Sequence, residues 1–306
     1  LLTNIGRLWT GSEILSNAAI VTGDERIAWV GPAAELPQRI PGVVDDIVDV
    51  DQVENLGGGL VTPGLIDAHT HPVYAGNRWA ELAMRSNGSS PAEITAAGGG
   101  VSSTVTVTRG TDPWTLCNGV RERMGRWLRS GATTIEAKTG YHLTRDGELA
   151  DVRMLRGLEG EPGMPRVHVT FLAAHAVPPE FFGRRTDYVD AVSSWCADAS
   201  AIGADSVDVY CEEGRFSEED SQRRPPVGPA APAARLRGIA DRRGPAGGRA
   251  RLRVRRPAAP GHRGRRGRAG AGRRGRRGVP GHGPADQCPP AGARAARQGR
   301  RRRARL

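Results

Sequence analysis

Apolar and polar positions change rhythm along this chain in three stretches. In the first, Ala18-Ala19-Ile20-Val21 and Arg26-Ile27-Ala28-Trp29-Val30 flank Thr22-Gly23-Asp24-Glu25, which reads as a hairpin closed by Gly31-Pro32. Ile47-Val48-Asp49-Val50 is a further strand candidate, so residues 1–58 read as a small β unit. From Gly59 the rhythm becomes strand, loop, helix. The apolar run Gly64-Leu65-Ile66 ends in Asp67-Ala68-His69-Thr70-His71, and Pro72 and Gly76 open a loop. Ala97-Gly98-Gly99-Gly100 through Thr104 reads as a Gly-rich loop. Asp112-Pro113 then offers an N-cap and a first-turn proline. Leu116, Val120, Met124 and Trp127/Leu128 follow at helical spacing, with Gly131 placed to end the helix.

Strands follow at Ala132–Lys138, Val167–Ala174 and Ser206–Cys211. Between them lie helical stretches near Glu148–Leu158 and at Tyr188, Val192, Trp195 and Ala199. Repeated units of this kind imply parallel strands with right-handed crossovers. The fold class is α/β. Four strands are legible where a closed βα-barrel needs eight, and a barrel left open predicts an unpaired strand edge and aggregation.

The third stretch, residues 223–306, has no Phe, Tyr, Trp, Lys, Asn, Met, Glu, Ser or Thr, and one Ile. Too little apolar surface is available to offset ordering entropy, so disorder is expected. The missing residues include those with AT-rich codons, while Arg, Gly, Ala and Pro have GC-rich ones. A GC-rich gene read out of frame beyond Gln222 would look like this.

Charge divides the chain at the same place. The overall +11 hides 26 arginines against two acids in residues 223–306, a net +24, and 18 basic against 31 acidic groups before them, a net −13. The basic average therefore describes only the tail, which as a polyanion binder would act without sequence selectivity, having no aromatic residues to stack on bases. Cys117, Cys196, Cys211 and Cys288 show no CxxC spacing and suit free thiols in a reducing cytoplasm. No apolar run reaches the ~20 residues of a membrane span, and the start lacks both a signal-peptide pattern and Met, which reads as a clipped N-terminus.

The chemistry starts at His69 and His71. On a strand they point to one side, about 7 Å apart, and two imidazoles there suit Zn, Fe or Ni. The pair alone leaves core packing equally open. The segment PGLIDAHTH resembles the first barrel strand of the amidohydrolase superfamily, and its continuation VYAGNRWAE resembles the imidazolonepropionase family. SSTVTVTR (102–109), TTIEAKTGY (133–141), FLAAHAVPPEF (171–181) and VDVYCEEGRFS (207–217) extend the resemblance over residues 1–222.

The resemblance implies the first part of a β-sandwich (1–58), the first half of a TIM-type barrel (59–222), and hydrolysis of 4-imidazolone-5-propanoate to N-formimidoyl-L-glutamate in histidine degradation with one Zn or Fe ion. It makes His69 and His71 metal ligands, Arg78 the grip on the propanoate, Tyr141 a hydroxyl donor to substrate, and His175 a donor to the ring or its oxyanion. Lys138, the one lysine, lies on the strand face of Glu136 and reads as an ion-pair partner.

Two departures stand out. His142 occupies a position that is usually Gly. The family's third metal-binding His, its catalytic Glu, a later His and an Asp ligand have no counterparts. His262, His282 and Asp286 sit in Arg/Gly/Pro runs and take no role, so the catalytic residues stay unassigned and the chain is expected to be inactive. Another amidohydrolase, such as a ring deaminase, is the competing enzyme reading. The implied partner is a small molecule, with no specific nucleic acid and no membrane. Oligomeric state stays open, with a homodimer considered for the intact family.

Overall fold

The first unit, Leu1–Leu65, is built around a meander of three antiparallel strands: β1 (Leu2–Trp9), β2 (Ile14–Gly23) and β3 (Arg26–Pro32). β4 (Glu54–Asn55) and β5 (Leu60–Val61) both pair with β1 in parallel, and the order is β3-β2-β1-β4. Ile5, Leu8, Ala18 and Ile20 form its core. The expected hairpin is β2–β3. This computed structural model describes residues 1–23, 26–40, 50–212, 215–222, 237–239 and 251–253. The strand expected at Ile47–Val50 falls, except for Val50, outside them. Among the described residues the unit is a single sheet.

The second unit, Ile66–Leu306, follows β6 (Leu65–Thr70) with four helices: α1 (Trp79–Ser86), α2 (Pro91–Ala96), α3 (Gly100–Gly110) and α4 (Pro113–Arg129). Then β7 (Ala132–Lys138), α5 (Arg145–Glu159), β8 (Arg166–Ala174), α6 (Arg185–Ala201), β9 (Ser206–Val209) and α7 (Glu218–Gln222) alternate. β7, β8 and β9 pair in parallel, with β6 beside β7, as in the first half of a βα-barrel. The helix signals act as read. Asp112 accepts from Thr115 N at 3.0 Å, Pro113 opens α4, and Gly131 takes φ +92° after its last turn. α4, α5 and α6 bury Val120, Met124, Val152, Leu155 and Tyr188 against Ile135, Val169 and Phe171 of the sheet.

Three expectations are corrected. The Gly-rich stretch is a loop only to Gly99; from Gly100 it is α3, because Thr104, Val105 and Thr108 bury one helical face and Glu81 Oε1 accepts from Gly100 N at 2.7 Å. The fourth parallel strand is not left unpaired: β11 (Arg251–Arg253) runs antiparallel to β9, and β10 (Arg237–Ile239) pairs with β11. Those six residues are strands within the stretch expected to be disordered, and the rest of 223–306 lies outside the described residues. Cys117 is disulfide-bonded, whereas Cys196 and Cys211 are free thiols as expected. Among the described residues no helix is long and apolar enough to cross a membrane.

Candidate active site

The C-terminal ends of β6, β7 and β8 bring four aromatic rings together. His69 lies on β6 and His71 just beyond it, and their ring centroids are 5.2 Å apart. Tyr141 follows β7 and His175 follows β8. The His71 ring stacks on His175 at 5.0 Å and meets Tyr141 edge-on at 5.4 Å. Tyr141 and His175 are 5.2 Å apart. A cavity of about 250 Å³ opens over this cluster, and Arg78, which precedes α1, also lines it.

Each group is held by a short local device. Gly140 takes φ +118°, and a Cβ there would meet Leu172 O at 2.8 Å and His175 Nδ1 at 3.0 Å, so only glycine lets the chain turn this closely past His175. His175 Nδ1 is 2.9 Å from Gly140 O. A nitrogen facing a carbonyl must carry the proton, which leaves Nε2 as an acceptor in the neutral ring. Burial lowers the pKa of His175 and favours that neutral form. Burial, then the neighbouring His175 and His69, pulls His71 from 6.5 to about 3. Burial also raises the Tyr141 hydroxyl, keeping it a phenol. Arg78 Nε lies 3.6 Å from Glu81 Oε1, which anchors a guanidinium still about one-third exposed.

Lys138 behaves as the ion-pair partner it was read to be, and more. Its fully buried Nζ donates to Glu136 Oε1 at 2.9 Å and to Asp208 Oδ2 at 2.7 Å. Asp208, Tyr210 and Arg215 also line the cavity and escaped the sequence reading. The alternation Asp208-Val209-Tyr210 held the signal, since it sets Asp208 of β9 and Tyr210, just past the strand, on the same side of the chain.

A metal fits this donor set in part. His71 Nδ1 is buried without a hydrogen-bond partner, which suits a lone pair reserved for an ion. Two strand-borne imidazoles fall short of the three protein ligands usual at a catalytic zinc. Among the described residues no group of three His, Cys, Asp or Glu side chains is arranged to hold an ion. His262, His282 and Asp286 lie outside them.

No family model matches the chain. It is 42% identical over 212 residues to the imidazolonepropionase of Pseudomonas entomophila, covering 69% of this chain and 50% of that protein. The Pseudomonas aeruginosa imidazolonepropionase is 43% identical over the same coverage. That of Serratia proteamaculans is 42% identical over 241 residues, 75% of this chain and 56% of its own. Among solved structures, N-isopropylammelide isopropylaminohydrolase from Burkholderia multivorans gives a TM-score of 0.39 at 22% identity, covering 67% of this chain and 44% of that one. Ochratoxinase of A. niger gives 0.35 at 19%, covering 56% and 32%. The chain spans about half the length of the curated relatives it matches, and over that span it is a homologue of the imidazolonepropionases.

Proposed function

We propose that this chain carries one part of an imidazolonepropionase site, shaped to hold an imidazolone ring bearing a propanoate, and that it does not complete the hydrolysis by itself. The observation supporting this is the convergence of His69, His71, Tyr141 and His175 on a cavity that Arg78 also lines. Arg78 grips the propanoate, because a guanidinium fork matches a carboxylate in two places. Tyr141, kept a phenol by burial, donates to the ring carbonyl. His175 Nε2 accepts a ring N–H, since its Nδ1 proton is committed to Gly140 O; this replaces the donor role drawn from the resemblance.

His69 and His71 would hold a Zn or Fe ion, whose contribution in a complete site is to lower the pKa of bound water and polarise a carbonyl. With two ligands such an ion exchanges readily. The reading places the activity with the cytoplasmic breakdown of histidine.

The test joins binding to turnover. Imidazole-4-propanoate should bind the full chain, and Arg78→Ala should weaken it about tenfold or more, the range of one charge-assisted hydrogen bond. Turnover of 4-imidazolone-5-propanoate should be undetectable, with substoichiometric metal after dialysis against a chelator. Restoring the shifted frame after the codon for Gln222 should recover metal and turnover together. Stoichiometric metal with turnover in the chain as it stands would sink the incompleteness, and absence of probe binding would sink the substrate assignment.

A further inference from the structure

Tyr141 sits on a loop that is fastened on both sides, and the second fastening has no part in the chemistry above. On its N-terminal side Gly140 is tied to His175. On its C-terminal side His142 turns away from the cavity toward α5, where its Nδ1 hydrogen-bonds with Asp151 Oδ2 over 2.9 Å. The backbone N–H groups of His142 and Leu143 both donate to Glu148 Oε1, at 2.9 and 2.7 Å. His142 O accepts from Arg109 Nε of α3 at 2.6 Å, and Arg109 is itself ion-paired to Glu180. Tyr188 of α6 reaches Leu143 O at 3.3 Å. Asp151 and Glu148 are fully buried. Leu143 takes φ +55°, a left-handed conformation that a Leu adopts only when its surroundings impose it.

The ring of His142 has also been given room. A Cβ at Gly147 would lie 2.5 Å from His142 Cβ and 2.6 Å from its Cγ. Imidazole, facing glycine and receiving carboxylate thus form one matched set at residues 142, 147 and 151. A histidine merely tolerated at 142 would point to solvent, where no buried acid is needed.

We propose that His142 is a positioning residue for Tyr141: its imidazole, anchored on Asp151 under the loop, holds the Tyr141 ring edge-on against His71 and His175. The inference builds on Tyr141 being a site residue, as read above, but its readout needs no ligand and no turnover. His142 touches no reacting atom in this role. It acts by removing the freedom of the backbone that carries Tyr141, which is how a supporting residue sets the geometry of a polar contact.

The experiment is NMR on the full chain with ring-labelled tyrosine, the Tyr141 signal being identified by its loss in Tyr141→Phe. Packed among imidazoles, the Tyr141 ring should show signals displaced from those of free tyrosine. In His142→Ala the displacement should collapse toward the free value, while methyl signals of Ile135 and Val169 in the core stay in place. His142→Asn retains a donor for Asp151 and should restore at least half of the displacement; Asp151→Leu, which removes the acceptor, should lose it again.

A Tyr141 signal unmoved in both His142→Ala and Asp151→Leu overturns the proposal. So does failure of Asn to outperform Ala. If His142→Ala loses its core signals, the comparison of Asn with wild type decides: a retained displacement supports the proposal, and a lost one with the core intact overturns it. Imidazole-4-propanoate added afterwards separates the two readings. Unmoved Tyr141 with intact probe binding overturns only the positioning role. A collapsed Tyr141 signal in a chain that never binds the probe supports positioning and removes the substrate assignment.

Discussion

Lys138 is a fully buried charge in the second unit. Its ammonium is fully buried between Glu136 and Asp208, whose side chains are 13% and 11% exposed. Removing the cation leaves two uncompensated carboxylates, on β7 and β9 either side of β8, with little solvent to screen them. Lys138→Met should therefore cost on the order of 3–5 kcal/mol in urea unfolding, the range for breaking one side of a buried pair. Adding Asp208→Asn should return part of the loss, because one of the orphaned charges then disappears. A loss under about 1 kcal/mol would mean that water screens the triad as it does on a surface. The sequence showed that Lys138 shares a face with Glu136, since alternation on one strand is enough for that. It did not show Asp208, which is 70 positions away and is brought in by the pairing of β8 with β9.

At the scale of elements, α5 carries a titration written into its buried face. Burial pushes Asp151 from 3.8 up to about 7, against the opposing pull of His142. Burial likewise raises Glu148. Between those two values the folded chain holds a proton on Asp151 that the unfolded chain has released. This contribution therefore lowers stability as pH rises from 3.8 toward 7, and is constant above. Asp151→Asn mimics the protonated carboxyl and cannot titrate. Its stability relative to wild type should rise with pH through that window and level off, as measured by denaturant unfolding at a series of pH values. Parallel curves would show that Asp151 ionises in the folded chain much as in water. At the same scale, Asp112→Ala should lower the unfolding midpoint by removing the N-cap of α4, with helix content otherwise unchanged by circular dichroism.

For the whole molecule, the parallel order of the second unit ends after four strands among the described residues, and apolar side chains are left uncovered. Ile66 is 72% exposed, Trp79 72% and Leu82 56%. Pairing of β11 closes the edge at β9 but leaves these side chains in solvent. The chain should therefore self-associate with rising concentration in sedimentation velocity, and Ile66→Lys with Trp79→Lys should shift it toward monomer. A sharp melt from a soluble wild-type monomer would contradict this. The +24 charge of residues 223–306 predicts a second, independent behaviour: binding to DNA without sequence preference that falls steeply as salt rises. Salt-insensitive binding would refute the counterion-release account.

Whatever local geometry dictates could be read from the residues alone. Strand and helix spans from Pro113 to Ala201 follow from apolar periodicity, caps and glycines, and His69 with His71 follow from alternation on one strand. The break in composition beyond Gln222 needs no structure either. The reading at Gly98-Gly99-Gly100 failed for one local and one distant reason: three glycines masked a helical face at Thr104, Val105 and Thr108, and the cap that starts the helix comes from Glu81 in another helix. Which rings meet at 5 Å, that His175 presents Nε2 as an acceptor, and that His142 faces Asp151 emerge only once the chain is folded. These depend on the register of β7 against β8 and on which helix packs beneath the loop. Contacts far apart in sequence are chosen jointly by burial and hydrogen bonding across elements, and no local pattern encodes them.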